Sequence, residues 1–159
     1  RAHPPHTGRA RSMAQARRRK PRILLVEDEL LIALSVGDML SELGYAVAGP
    51  VARLDEALAH ARNEPLDGAL LDVSLGRDEV FPVAEVLAAR GVPFVFASGY
   101  NGAALPDRFR GRPHLQKPFS VRQLKAALAR VFGGPGGGGG GGDGRPGRAR
   151  GELSDGHPG

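Results

Sequence analysis

The chain has no cysteine and no tryptophan, and aromatic residues make up only 5% of it. Without cysteine there is no disulfide, no thiolate metal site and no thiol nucleophile. No apolar run approaches the roughly 20 residues that a membrane-spanning helix needs. No apolar segment of signal-peptide type follows the start of the chain. Acidic residues are missing altogether from positions 1–20, which hold seven Lys and Arg. The central part of the chain has neither a basic stripe nor an aromatic platform, so a nucleic-acid-binding core is not expected.

What is present divides the 159 residues into three parts. Residues 1–20 form a basic arm. Residues 133–159 hold 14 of the 24 glycines, including the run Gly136 to Gly142. Between them, 21–132 is long enough to bury the core of one domain. The net charge of +5 has the same division. The arm carries +7, the tail is neutral, and the centre has 12 basic against 14 acidic residues. The basicity therefore belongs to the arm. A basic arm can touch nucleic acid or an acidic surface, but its first reading is a solvated, disordered leader. The glycine-rich tail reads as disordered too. The sequence opens on Arg1, and Met13 is read as a natural start. The overall expectation is a cytoplasmic protein with no membrane partner.

Within 21–132, strand-like and helix-like patterns alternate five times. Residues 22–26 are a short apolar run of the buried-strand type. Residues 30–43 have apolar residues at helical spacing and stop at Gly44, a good terminator. A second strand at 45–48 is ended by Gly49-Pro50, and a second helix spans 54–62. A third strand at 68–72 and a loop at 74–79 lead to a third helix at 82–90, with Pro82 tolerated near its start. A fourth strand is read at 93–97 and a fifth at 114–116. Ser120 is suited to cap a last helix over 121–132. Such alternation predicts an α/β fold with a parallel sheet covered on both faces.

The ends of the strands carry the chemistry. Glu27 and Asp28 follow the first strand, Asp72 ends the third, Ser98 closes the fourth, and Lys117-Pro118 follows the fifth. The carboxyl ends of parallel strands line one edge, where ligands bind. Three carboxylates and one ammonium meeting there suit a hard cation and a phosphoryl group, and oxygen-only ligands suit Mg²⁺ or Mn²⁺. Taken alone, each member has a plainer reading. Glu27 and Asp28 could cap the following helix, and Ser98 could be a turn residue.

Together, these residues resemble the receiver domain of a two-component response regulator. The stretches that carry the resemblance are Ile23-Leu24-Leu25-Val26-Glu27-Asp28-Glu29, Leu70-Leu71-Asp72-Val73, Phe96-Ala97-Ser98-Gly99-Tyr100 and Leu115-Gln116-Lys117-Pro118-Phe119. The resemblance covers about 21–132. It implies a flavodoxin-like (βα)5 doubly wound sheet of strand order 2-1-3-4-5. It also implies that Asp72 is the phosphoacceptor. Glu27, Asp28, Asp72 and the backbone carbonyl of Ser74 would hold Mg²⁺. Lys117 would pair with Asp72 and then with the phosphoryl oxygens, and the Ser98 hydroxyl would bond the phosphoryl group. The donor would be a sensor histidine kinase or a histidine phosphotransfer protein.

Four features set this chain apart. Ser98 stands where receivers more often have Thr, which keeps the hydroxyl. His114 stands where many have Tyr or Phe as a rotating reporter. The intervals from Asp72 to Ser98 and from Ser98 to Lys117 are short, so the fourth helix is expected to be reduced, with one short helix around 107–110. The motif at strand four resembles a stand-alone subset with Phe-Ala-Thr-Gly at this place, whose members work with sensor kinases in stress signalling. After Phe132 only a glycine-rich stretch remains, so output is expected through contact with a downstream protein. The alternatives are a phosphate sink or relay, and a small Mg²⁺-dependent phosphohydrolase. Ser74 speaks against the last, because such enzymes place an acid/base carboxylate two residues after the nucleophile.

Overall fold

Five short runs of branched and aliphatic residues form one parallel sheet in a computed structural model that describes residues 19–99 and 105–132. Both the basic arm up to residue 18 and the tail 133–159 lie outside the described residues. Strand β1 (Arg22–Val26) is followed by helix α1 (Leu30–Glu42), β2 (Ala46–Val51), α2 (Leu54–Asn63) and β3 (Gly68–Asp72). A two-stranded hairpin, β4 (Ser74–Leu75) and β5 (Asp78–Glu79), precedes α3 (Phe81–Ala89). Then come β6 (Phe94–Ser98), a 3-10 turn at Asp107–Phe109, β7 (His114–Gln116) and α4 (Val121–Phe132). The main sheet runs β2-β1-β3-β6-β7. With the hairpin strands set aside, that is the flavodoxin-like order 2-1-3-4-5.

Alternation along the strands builds a core on each face. Leu24 and Val26 of β1 join Leu71, Phe94 and Phe96 under α2 and α3. Ile23 and Leu25 point the other way and join Leu70, Val95 and Leu115 under α1 and α4. The central strand β3 is buried along its whole length.

Helix α1 buries Ala33, Val36 and Leu40, a stripe at spacing three and four. Leu30, Leu31 and Leu34 belong to its apolar pattern but face outward, at 69%, 81% and 52% exposure. Helix α4 starts with a reciprocal cap. The Gln123 backbone N–H donates to Ser120 Oγ at 3.1 Å, and the Ser120 N–H donates to Gln123 Oε1 at 2.8 Å.

Two segments differ from the sequence expectation. The second strand does not stop at Ala48 but runs through Gly49-Pro50 to Val51. The register with β1 slips there, from Leu24 opposite Ala48 to Val26 opposite Val51, so β2 carries one extra residue. Gly49 makes this possible. Its φ is +96°, and a Cβ would lie 2.8 Å from the Val51 nitrogen and 2.9 Å from the Leu25 oxygen. The segment read as a loop at 74–79 is the antiparallel hairpin, with Ser74 opposite Glu79 and Leu75 opposite Asp78.

Between β6 and β7 the described residues contain only the 3-10 turn. Phe109, 3% exposed, anchors that turn. Its ring stacks on Phe81 at 5.8 Å and meets Phe94 and Phe96 edge-on at 6.0 and 5.5 Å. Four of the six phenylalanines thus pack as one group beside the turn. Phe109→Ala is expected to lower the unfolding free energy by about 3 kcal/mol, read from urea denaturation followed by circular dichroism.

Candidate active site

The sheet brings the strand-end residues to one edge. Glu27 leaves β1 with its backbone N–H donating to Val51 O at 3.0 Å, so the bulged end of β2 holds it in place. Its side chain does not cap α1. The capping position is Glu29, which makes no side-chain cap bond. Instead the Glu29 N–H donates to Glu27 Oε1 at 3.2 Å, and Glu27 Oε2 turns toward the ammonium of Lys117.

Lys117 Nζ lies 2.5 Å from Glu27 Oε2 and 3.0 Å from Asp72 Oδ2. Glu27 and Asp72 are 4% and 6% exposed. The other Asp72 oxygen, Oδ1, accepts the Ser74 N–H at 3.3 Å. Asp28 lies at the exposed mouth, where its Oδ2 accepts the Gly76 N–H from the hairpin turn at 2.9 Å. One oxygen from each of Glu27, Asp28 and Asp72 falls within 4.8 Å of the others. Asp28, Asp72, Ser74, Ser98 and Lys117 line an open cleft of about 1040 Å³, and Glu27 reaches it through its contacts with Lys117 and the other two carboxylates.

Two buried carboxylates share one ammonium, and their protonation reflects it. Burial pushes the Glu27 carboxyl up to about 7, opposed by its bond to Lys117 and reinforced by the Asp72 charge. Burial raises Asp72 too, against the pull of Lys117. The two acids outweigh burial at Lys117 and raise its ammonium above its ordinary value. The cluster therefore has room for further positive charge. Its donors are all oxygens, as a hard divalent cation requires.

Lys117 is positioned from both sides. Its backbone N–H donates to Ser98 O at 2.8 Å, which joins the ends of β6 and β7. The Lys117–Pro118 peptide is cis. The Ser98 side chain is 4% exposed. Its Oγ lies 2.6 Å from His114 Nε2. Two members of the site were not foreseen from sequence. One is Gly76, whose backbone holds Asp28; the Gly76-Arg77 pair is the turn signal that marks it. The other is His114 as the partner of Ser98.

No family model matches the chain. The transcriptional regulatory protein PdtaR of Mycobacterium tuberculosis is 32% identical over 111 residues, which is 67% of this chain and 54% of PdtaR. The solution structure of SdrG from Sphingomonas melonis Fr1 is similar with a TM-score of 0.63 and 46% identity, over 69% of this chain and 94% of that one. The receiver domain of the sensor histidine kinase PA1611 from Pseudomonas aeruginosa PAO1 was solved with a magnesium ion in its active-site cleft. It is similar with a TM-score of 0.61 and 28% identity, over 72% of this chain and 99% of that one. The chain spans about half the length of PdtaR. Strand order, the acidic cluster at the strand ends and these likenesses agree: the chain belongs to the response-regulator receiver domains of two-component signalling.

Proposed function

We propose that the chain accepts a phosphoryl group on Asp72 from a phosphohistidine of a sensor histidine kinase or histidine phosphotransfer protein. The observation that carries this reading is the buried Glu27–Lys117–Asp72 cluster opening beside Asp28 onto the cleft. An Asp72 oxygen forms a bond to phosphorus as the donor's P–N bond breaks. The leaving imidazole keeps the electron pair and takes up a proton. Lys117 neutralises charge throughout, first on Asp72 and then on the phosphoryl oxygens. The Ser98 hydroxyl donates to the phosphoryl group once it is attached.

Mg²⁺ fits the donor set. Glu27, Asp28, Asp72 and the Ser74 carbonyl would hold it, and bound there it screens the repulsion between acceptor and phosphoryl anion. Ser74 stands where a phosphohydrolase would place an acid/base carboxylate, so turnover of an external substrate is not part of the reading. The chain is a signalling protein of the cytoplasm, and its output is contact with a downstream protein. The match along 94% of SdrG supports treating 21–132 as the working unit.

The donor's docking face is read from α1. Leu30, Leu31 and Leu34 are exposed beside the cleft, which Leu31, Ile32 and Met39 also line. Three outward leucines on one helix are a surface for an apolar partner, here the protein that carries the phosphohistidine.

Incubation with radiolabelled acetyl phosphate and Mg²⁺ should give an acid-stable, base-labile acyl phosphate on the wild-type chain and none on Asp72→Asn. Label of equal yield on both proteins would overturn the assignment. Leu34→Glu is expected to slow transfer from a phosphorylated protein donor by about tenfold or more, since a buried leucine contributes roughly 1.5–3 kcal/mol. Labelling by acetyl phosphate should not change in that variant.

Mg²⁺ binding should release a proton near neutral pH, because the cation competes with the proton on Glu27. The affinity should rise with pH up to about 7, by at most about tenfold per unit, then flatten. In the metal-free chain the sign is reversed. Stability linked to protonated Glu27 is present in full below its ordinary value near 4.5 and is lost as pH rises through about 7. Titration calorimetry in buffers of different ionisation enthalpy, with Glu27→Gln as the control, measures the released proton.

A further inference from the structure

Among the described residues, Ser98 has the only hydroxyl on the β6 end of the cleft, and its partner in this structure is a side chain of the neighbouring strand. Strands β6 and β7 are paired in parallel, with Phe96 opposite His114 and Ser98 opposite Gln116. That register sets His114 two residues back from the level of Ser98. Its imidazole reaches forward along the strand, and Nε2 comes to 2.6 Å from Ser98 Oγ. Burial lowers the His114 pKa, so the ring is neutral at pH 7 and one of its nitrogens is an acceptor.

A hydroxyl has one proton to donate. If that proton is held by Nε2, Ser98 offers the cleft only lone pairs, which repel a phosphoryl oxygen. With Nε2 as the acceptor, Ser98 can donate to the phosphoryl group only once the bond to His114 is given up; an Nε2–H tautomer would donate to Oγ and leave the hydroxyl free.

We propose that His114 is the positioning residue for Ser98: it holds the hydroxyl on the β7 side in the unphosphorylated domain and competes with the phosphoryl oxygen for its proton. The inference rests on the phosphoacceptor reading and adds to it a restraint on activation. Phosphorylation frees the His114 ring, so the change at Asp72 is carried to strand β7, next to Lys117. A polar pair makes this link.

The test uses the full chain with Mg²⁺ and beryllofluoride, a phosphoryl mimic. His114→Leu removes the competitor and should bind beryllofluoride about 2- to 10-fold more tightly, the range for the loss of one neutral hydrogen bond. His114→Gln can place an amide where Nε2 lies, and should return the affinity to that of the wild type. In a Ser98→Ala background, His114→Leu should have no further effect. In the wild type, the ¹⁵N resonance of His114 Nε2 should move on adding beryllofluoride, and in Ser98→Ala it should stay in place.

Equal or weaker binding by His114→Leu, or a wild-type His114 resonance that stays in place while beryllofluoride binds, overturns the role of His114 alone. If no variant and no wild-type protein binds beryllofluoride in the presence of Mg²⁺, the phosphoacceptor reading falls and this inference falls with it.

Discussion

One ammonium between two buried carboxylates is the interaction on which the site depends. Lys117 Nζ bridges Glu27 and Asp72, which come from β1 and β3, while Lys117 itself follows β7. Charges of this kind are costly to bury and are tolerated only when paired. Removing the lysine would leave two acids a few ångströms apart with no cation, and they would be expected to take up protons instead. The pairing thus opposes the uptake of a proton by Asp72, which burial favours. It also ties the centre of the sheet to its edge, because Lys117 is held by backbone to Ser98 and by side chain to β1 and β3.

The surrounding fold serves this arrangement at specific places. The bulge at Gly49 lets β2 reach Val51, whose carbonyl fixes the Glu27 backbone. The hairpin after β3 turns at Gly76 and fixes Asp28 from the other side of the cleft. The aromatic group around Phe109 closes the sheet face where only a single 3-10 turn is found among the described residues. Each device is local, and each delivers one group to the same edge.

Much of this was legible in the sequence, for physical reasons. Strands buried on both faces leave continuous apolar runs, so 22–26, 68–72 and 93–97 were plain. Polar residues at their ends stand out because nothing in a strand core explains them. Ser120 announced its helix because a cap requires a side-chain oxygen. Other features were not legible. The residues that α1 buries are mostly small, Ala33 and Val36, so the larger Leu30, Leu31 and Leu34 dominated its pattern while facing outward. Gly49-Pro50 has the composition of a strand end, and only tertiary pairing shows that β2 continues through it. The Ser98–His114 bond depends on the register between two strands, which no single segment encodes.

The burial of β3 has a consequence for where motion can occur. Asp72 stands at the tip of a strand flanked by β1 and β6 and covered on both faces. Amide protons of such a strand exchange with solvent only when the whole domain opens. Ser98 and Lys117 belong to β6 and to the end of β7, a three-residue strand at the sheet margin. Local opening is therefore costliest at Asp72 and least costly at β7. With Asp72 as the proposed acceptor, the chemistry falls on the part of the molecule that holds still, and the three-residue strand at the margin is the part freest to answer it.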